Sequence, residues 1–259
     1  GMVYHVLNCC VDKYLKKICM EANGVSYVTE YVLQNSYPCK AIIEPNNKNY
    51  FTGAFSTIEM NDEHYYRQNW DINVQPQKFI LIHSGFMDDN RKCQDYVLKV
   101  IKNVVDRGYN VEMRFIGDGA LRTRYEEMAE TLGIRDKCVF CGLIRNKMTL
   151  LEELRKSHLF IFPTKAEGLP RSVLEAMAQG LPCVSSPVDG VTELLPDKYL
   201  VNWWDVDGFT EKVCSLLSNW PDMVEQSERN YQKSLEYHND ILKGKRHEFY
   251  GKLYELCRK

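Results

Sequence analysis

The sequence predicts an α/β fold, a doubly wound, Rossmann-like parallel sheet preceded by a partial N-terminal domain. Three observations lead there. From about residue 78, short apolar runs alternate with stretches of helical periodicity. The runs are almost continuously apolar, as strands buried on both faces require. Glycine or proline marks most changes from one element to the next. Right-handed crossovers between such strands wind the sheet from its middle outward, and folds of this kind bind ligands at the carboxyl ends of their strands.

The elements follow in order. Phe79–His83 reads as the first strand, ending at Ser84 and Gly85. Tyr96, Val97, Val100, Ile101, Val104 and Val105 recur at helical spacing, and Gly108 closes that helix. Val111–Ile116 is the second strand, followed by Gly117, Asp118 and Gly119. A helix through Tyr125, Met128 and Leu132 ends at Gly133. Cys138–Cys141 is the third strand, and Met148–Leu154 reads as a helix. Leu159–Phe162 is the fourth strand. Pro170–Gln179 is a helix with proline in its first turn and Gly180 past its end. Cys183–Ser185 is the fifth strand, and the chain is helical from Asp205 onward.

The first 76 residues lack this rhythm. Asp12–Asn23 and Tyr27–Gln34 read as helices, and Asn69–Gln77 as a linker. The expected division is therefore residues 1–76, the end of one domain plus a linker, and residues 77–259, one complete α/β domain with helices at its end. Gly1 and Met2 read as a tag remnant, with no signal peptide.

Composition excludes several classes. The 259 residues are 44% hydrophobic and 26% charged, ordinary for a globular chain. A net charge of -2 with no basic stripe gives no reason to expect nucleic acid. No apolar run approaches the roughly 18 residues of a membrane span. Ten cysteines form no regular framework, and Cys138, Cys141 and Cys183 fall in strands, so reduced thiols in a cytoplasmic protein are expected. The Cys138–Cys141 spacing has no second pair to complete a zinc site. Asp205 and Asp207 form a D-x-D that serves better as a helix N-cap than as a metal site, and Asp88, Asp89 and Asn90 read as the cap of the first helix. No metal is expected. Gly117 and Gly119 lack the third glycine of a dinucleotide fingerprint, since position 122 is Arg122. His83, at the carboxyl end of the first strand, could border a ligand there but reads better as a satisfied turn histidine, and Glu193 as a structural residue opening a short helix.

Phe160–Ser186 is the most informative stretch. A strand ends, Glu167, Gly168 and Leu169 form a tight loop, a helix starts at Pro170 and carries Glu175, and Gly180–Pro182 turns into the next strand. Glycine permits close approach of the backbone to a ligand, and free N–H groups at a helix start attract anions. The stretch closely resembles the E-x7-E signature of retaining family 4 and related GT-B glycosyltransferases, with Glu167 and Glu175 as the two acids. The resemblance covers about residues 78 to 220, the C-terminal, donor-binding half of that fold.

The resemblance implies transfer of a sugar from a UDP-, GDP- or ADP-sugar to a hydroxyl acceptor, a glycan or lipid-linked glycan. It implies retention of configuration and an acceptor domain that residues 1–76 represent only in part, so that the chain alone turns over poorly. It implies a cytoplasmic protein, with peripheral contact at the inner membrane face. Glu167 would lie beside the donor sugar as the catalytic residue, and Glu175 on the ribose. Gly168, Leu169, Pro170, Gly85 and Gly117 would line the donor, and the backbone of Gly142, Leu143 and Ile144 would meet the base. Where the family has an arginine after the first-strand glycine, this chain has Phe86. Arg91 falls at the position of the family's lysine, with Lys92 beside it, and either would neutralise a phosphate. Lys165 is a further candidate for phosphate.

Competing readings exist for each. Glu175 could be an i,i+4 partner of Arg171, Glu167 a loop acid favoured by the helix dipole, and Arg91 and Lys92 a solvated helix face. Rival functions are a sugar-nucleotide 2-epimerase and a non-catalytic sugar-nucleotide-binding subunit or sensor.

Overall fold

The computed structural model describes residues 2–258, and side chains from residue 11 to residue 258. The chain divides into two compact units, a larger one over Met60–Tyr237 and a smaller one formed by residues up to Glu59 together with those from His238 onward.

In the smaller unit, α1 (Met2–Glu21) leads to β1 (Gly24–Tyr27), α2 (Val32–Ser36), α3 (Lys40–Ile43) and β2 (Phe51–Ala54), and the two strands pair in parallel. This corrects the helix expected over Tyr27–Gln34. Tyr27 ends a strand, and the helix begins only at Val32, after a turn in which the buried Thr29 hydroxyl accepts the Leu33 N–H at 3.0 Å. A four-residue strand is too short for its period of two to show in sequence.

In the larger unit the expected alternation is present: β3 (Phe79–Ser84), α4 (Gln94–Asp106), β4 (Val111–Ile116), α5 (Arg122–Thr131), β5 (Cys138–Gly142), α6 (Lys147–Arg155), β6 (Leu159–Phe162), α7 (Arg171–Ala178), β7 (Cys183–Ser185), α8 (Val191–Leu194), α9 (Val206–Ser218) and α10 (Trp220–Ser234). The five strands are all parallel, in the order β5-β4-β3-β6-β7. One helical layer groups α4 with α5 and α9, and another groups α7 with α6 and α10. Leu81, Val97, Ile101, Met113, Phe115, Ile161 and Phe209 are among the buried residues of the core. The chain then returns to the smaller unit as α11 (Asn239–Cys257), whose Phe249 ring lies 5.2 Å from Phe51 and 5.8 Å from Phe55. Among the described residues no helix is long and apolar enough to cross a membrane.

Caps explain two helix starts and correct a third. Asp205 caps α9 as expected, accepting the Gly208 N–H at 2.8 Å, and Asn219 caps α10. The Asp88–Asn90 run does not cap α4. That helix starts one turn later, behind Cys93 in the left-handed region at φ 54, while Asp89 accepts the Arg91 N–H and Asp88 that of Ala120. Cys138 is buried in its strand and Cys141 partly so, and burial pushes the Cys93 and Cys138 thiols up to about 12.

β3 pairs with β4 from Phe79 opposite Val111 to Ser84 opposite Ile116, and with β6 through Leu81 and Ile82. The order of the sheet reverses at β3, so the loops after β3 and β6 leave in opposite directions and open a crevice. On the other flank the loops stay bound together. Gly85 N–H donates to the Ile116 carbonyl, Met87 N–H to Asp118, and Gly117 N–H to Gly142, each at 2.9 Å. That closeness requires glycine at 117, where φ is +133 and an added Cβ would lie 2.0 Å from the Gly85 carbonyl oxygen.

Gly117→Ala is expected to lower unfolding free energy by more than Gly133→Ala. Both sit at positive φ, but at Gly133 an added Cβ meets nothing within 4 Å. Gly133→Ala therefore costs only the backbone term, about 1–2 kcal/mol, and urea titration of both variants checks the ranking.

Candidate active site

The crevice is lined by the loops after β3 and β6. Thr164, directly beyond β6, is fully buried, and its N–H donates to the Ser186 hydroxyl at 3.0 Å. The Lys165 N–H donates to the Arg91 carbonyl at 3.0 Å, so the two loops are stitched across the reversal point. Glu167 is held here. Its Oε1 receives the Lys92 ammonium and, at 3.1 Å, the Thr164 hydroxyl, and the Glu167 side chain is only 13% exposed. The Lys92 ammonium also lies 5.2 Å from the Phe162 ring centroid. The backbone N–H of Glu167 donates to the Asp189 carboxylate, whose pKa is raised by burial and by the Glu167 charge, although that N–H opposes the rise.

Arg91 and Lys92 therefore part company. Lys92 turns into the crevice, whereas Arg91 is 71% exposed and pairs with Asp89 at 2.7 Å. Gly85 lies against the Lys92 stem, where an added Cβ would sit 2.9 Å from its Cγ. Phe86 points outward, 65% exposed. The Lys165 ammonium donates to Asn90 Oδ1 at 2.9 Å and lies over the Trp203 ring.

Beyond Glu167, the Gly168 carbonyl accepts the Gly190 N–H at 2.9 Å, Leu169 is buried, and Pro170 is the N-cap of α7. No side chain caps this helix. Its first N–H groups and its dipole thus face the crevice end of the sheet, an arrangement that favours an anion. One helical turn further on, Glu175 is 15% exposed and pairs with the Lys147 ammonium at 2.8 Å. Its partner is thus the first residue of α6 and not Arg171 of its own helix. Gly142 ends β5 with φ at +71, Leu143 is 44% exposed and Ile144 is half-buried. An extra residue in β5 shifts its register against β4 just before this point, kinking the strand where it enters the loop.

The structure therefore gathers Glu167, Gly168, Leu169, Pro170, Gly85 and Lys92 at the reversal point, and leaves Arg91 outside. Gly117 serves to pack the β3 and β4 loops together. Glu175 stands with Lys147. Sequence reasoning missed Thr164, Lys147 and Asp189: no local spacing announces Lys147 and Asp189, which other elements contribute, and Thr164 is an ordinary loop threonine in sequence. Among the described residues, no group of three or more His, Cys, Asp or Glu side chains could hold a metal ion.

His83 is also not the satisfied turn residue expected. It lies inside β3, fully buried, and donates from Nδ1 to the Ile161 carbonyl at 2.9 Å, which leaves Nε2 unprotonated and, among the described residues, without a hydrogen-bond partner. Burial, opposed by that hydrogen bond, lowers its pKa from 6.5 to about 4. The ring stacks on Phe162 at 5.7 Å.

A parallel sheet with helices on both faces and a carboxylate–lysine crevice at its reversal point defines a class, the doubly wound α/β domain that takes ligands at its strand ends. Comparison with known proteins agrees. The chain belongs to the glycosyl transferases group 1 family, whose model matches residues 78–219, more than half of its 259 residues. It is 31% identical to Protein CapJ of Staphylococcus aureus over 202 residues, which are 78% of this chain and 48% of CapJ. It is 30% identical over 151 residues to a sulfoquinovosyl transferase of Arabidopsis thaliana, covering 56% of this chain and 28% of that protein. A crystal structure of S. aureus TarM with UDP, Fondaparinux and alpha-GlcNAc-glycerol superposes with a TM-score of 0.71 at 20% identity, covering 92% of this chain and 46% of TarM. The chain thus spans about half, or less, of the length of these proteins.

His83 generates a pH prediction. Its folded-state pKa lies below the ordinary value, so the unfolded chain takes up the proton first as pH falls. Its contribution to stability is complete above pH 6.5 and is lost down to about pH 4, an effect on the order of 3 kcal/mol. His83→Asn keeps a donor for the Ile161 carbonyl but has no proton to gain. Its unfolding free energy should therefore fall less than the parent's between these pH values in urea titrations.

Proposed function

We propose that this chain is the donor-binding half of a retaining, family 4-like glycosyltransferase. The whole protein moves a sugar from a nucleoside diphosphate sugar to a hydroxyl of a glycan or lipid-linked glycan. The observation that carries the reading is the pairing of Glu167 with Lys92 beside the uncapped start of α7. A diphosphate needs fixed positive potential in a site where water is scarce, and a donor sugar needs a carboxylate to receive its hydroxyls. The two requirements meet there.

In the proposed reaction the bond from the anomeric carbon to the phosphate oxygen breaks through an oxocarbenium-like state. The acceptor oxygen bonds to that carbon on the same face, and its proton passes to the departing phosphate. Lys92 and the α7 N–H groups stabilise the charge growing on the leaving diphosphate, the preorganised electrostatics that lower such barriers most. Glu167 orients the sugar, and Glu175 accepts from the ribose diol. The backbone of Gly142, Leu143 and Ile144 meets the base. No metal has a role in this scheme. Residues 1–76 are proposed to be the end of the acceptor domain with its linker, and the setting to be polysaccharide or glycolipid assembly at the cytoplasmic membrane face. That TarM was solved with UDP supports placing UDP first among the donors to test.

Thermal melts of the chain with UDP, GDP and ADP test the reading. At 100 times its dissociation constant a ligand adds about 2.7 kcal/mol, a rise of about 5 to 10 °C for a domain of this size. One nucleotide should give that rise and should lose it with Glu175→Ala, whose unliganded melt stays cooperative. No rise with any of the three would turn the reading towards a degenerate domain. Transfer assays should show weak turnover by the 259-residue chain, and vigorous turnover would overturn the assignment of residues 1–76 as only part of an acceptor domain.

A further inference from the structure

The ion pair of Lys147 with Glu175 has no counterpart in the sequence pattern and joins two elements that the donor reading uses for different ends of the nucleoside. Lys147 is the first residue of α6, where Asn146 caps the helix by accepting the Thr149 N–H at 3.0 Å. The cap fixes the backbone from which the lysine projects, directly after the Leu143–Asn146 loop. Glu175 projects from the middle of α7, and α6 packs on α7. The ammonium reaches Glu175 Oε1 at 2.8 Å, with the lysine side chain 33% exposed and the carboxylate 15% exposed. Among the described residues Glu175 Oε2 takes no hydrogen bond, and the ammonium makes one of the three it can donate.

Such a pair offers open acceptor capacity on the carboxylate and open donors on the ammonium, side by side. A vicinal diol can use both at once, with one hydroxyl on each partner. One hydroxyl donates to Oε2, while a hydroxyl oxygen accepts from the lysine. A 2′-deoxy sugar lacks the second hydroxyl and leaves one partner of the pair unanswered. We infer that Lys147 is a specificity residue which, with Glu175, reads the intact 2′,3′-diol of a ribonucleoside diphosphate and selects against its 2′-deoxy form. This rests on the donor reading proposed above. The competing account is an ordinary half-exposed ion pair, which would contribute little to stability and nothing to ligand choice.

The test is calorimetric titration of the chain with UDP, GDP and ADP and with the 2′-deoxy form of each. The parent chain should prefer the ribonucleotide of at least one pair. Lys147→Met should shrink that preference by about tenfold, the scale of a hydrogen bond to a charged group, while Lys147→Arg, which keeps a donor cation, should retain most of it. Lys92→Met, at the other end of the crevice, should weaken both forms equally and leave the ratio unchanged. If the parent binds a ribonucleotide and Lys147→Met binds it with an unchanged preference, the inference fails and the donor reading stands. If the parent binds none of the six, both fail. Unliganded melting of each variant separates loss of binding from loss of fold.

Discussion

The pairing of β3 with β4 on one side and β6 on the other is the constraint on which the rest depends. It fixes where the sheet order reverses, and so where two loops diverge instead of running together. On the β4 side, backbone hydrogen bonds carry the ladder past the ends of the strands and glycine at 117 permits the contact. On the β6 side, the chain bridges the gap with the Lys165 N–H on the Arg91 carbonyl and the Lys92 ammonium on Glu167. A rigid flank beside a bridged one is what a preorganised site requires, since groups held by packing need not be reordered when a ligand arrives.

The bridge has a particular energetic character. Lys92 and Glu167 are both largely shielded, so each pays desolvation, and their attraction roughly repays it. Removing either partner would leave the other charge stranded at substantial cost. A ligand with a phosphate for Lys92 and hydroxyls for Glu167 exchanges one set of satisfied charges for another. It therefore need not create a buried charge in order to bind. The Lys147–Glu175 pair repeats the arrangement one helical turn away. Glu167 and Glu175 are thus each answered by a lysine from a different element, while among the described residues Asp189 is held by a backbone N–H alone.

Most of the α/β unit was legible because its signals are local. The five apolar runs Phe79–His83, Val111–Ile116, Cys138–Cys141, Leu159–Phe162 and Cys183–Ser185 all became strands within a residue of their expected bounds. β3, β6 and β7 are largely apolar on both faces, and in β4 the alternation of Glu112 and Arg114 with Val111, Met113 and Phe115 is itself a strand signal. The smaller unit was less legible because its strands are four residues long and its helical periods are broken. Side-chain partners were less legible, because the basic ones lie on other elements. Glu167 and Glu175 are set by an eight-residue spacing, but their lysines lie 75 and 28 residues away. The resemblance put Arg91 at the family's lysine position and left Arg91 and Lys92 both open as the phosphate base. The Asp89 turn and the left-handed Cys93 rotate the loop, so that Lys92 takes the inward place.

This rotation bears on Phe86, which stands where the resembled family carries an arginine. On the donor reading, the loss of that base matters only if the positive potential at the diphosphate falls with it. Potential depends on burial as much as on count, because the interaction of two charges weakens in proportion to the effective dielectric between them. Arg91, largely exposed and already paired with Asp89, is screened by solvent and salt and contributes little inward. Lys92, shielded against Gly85 and Phe162, acts through protein rather than water. The uncapped start of α7 adds fixed partial charge that no salt ion displaces from the backbone. One part-buried ammonium and a helix terminus can thus supply what two exposed bases would supply only weakly. Exposed Phe86 gives the rim an apolar contact in the position of a charge.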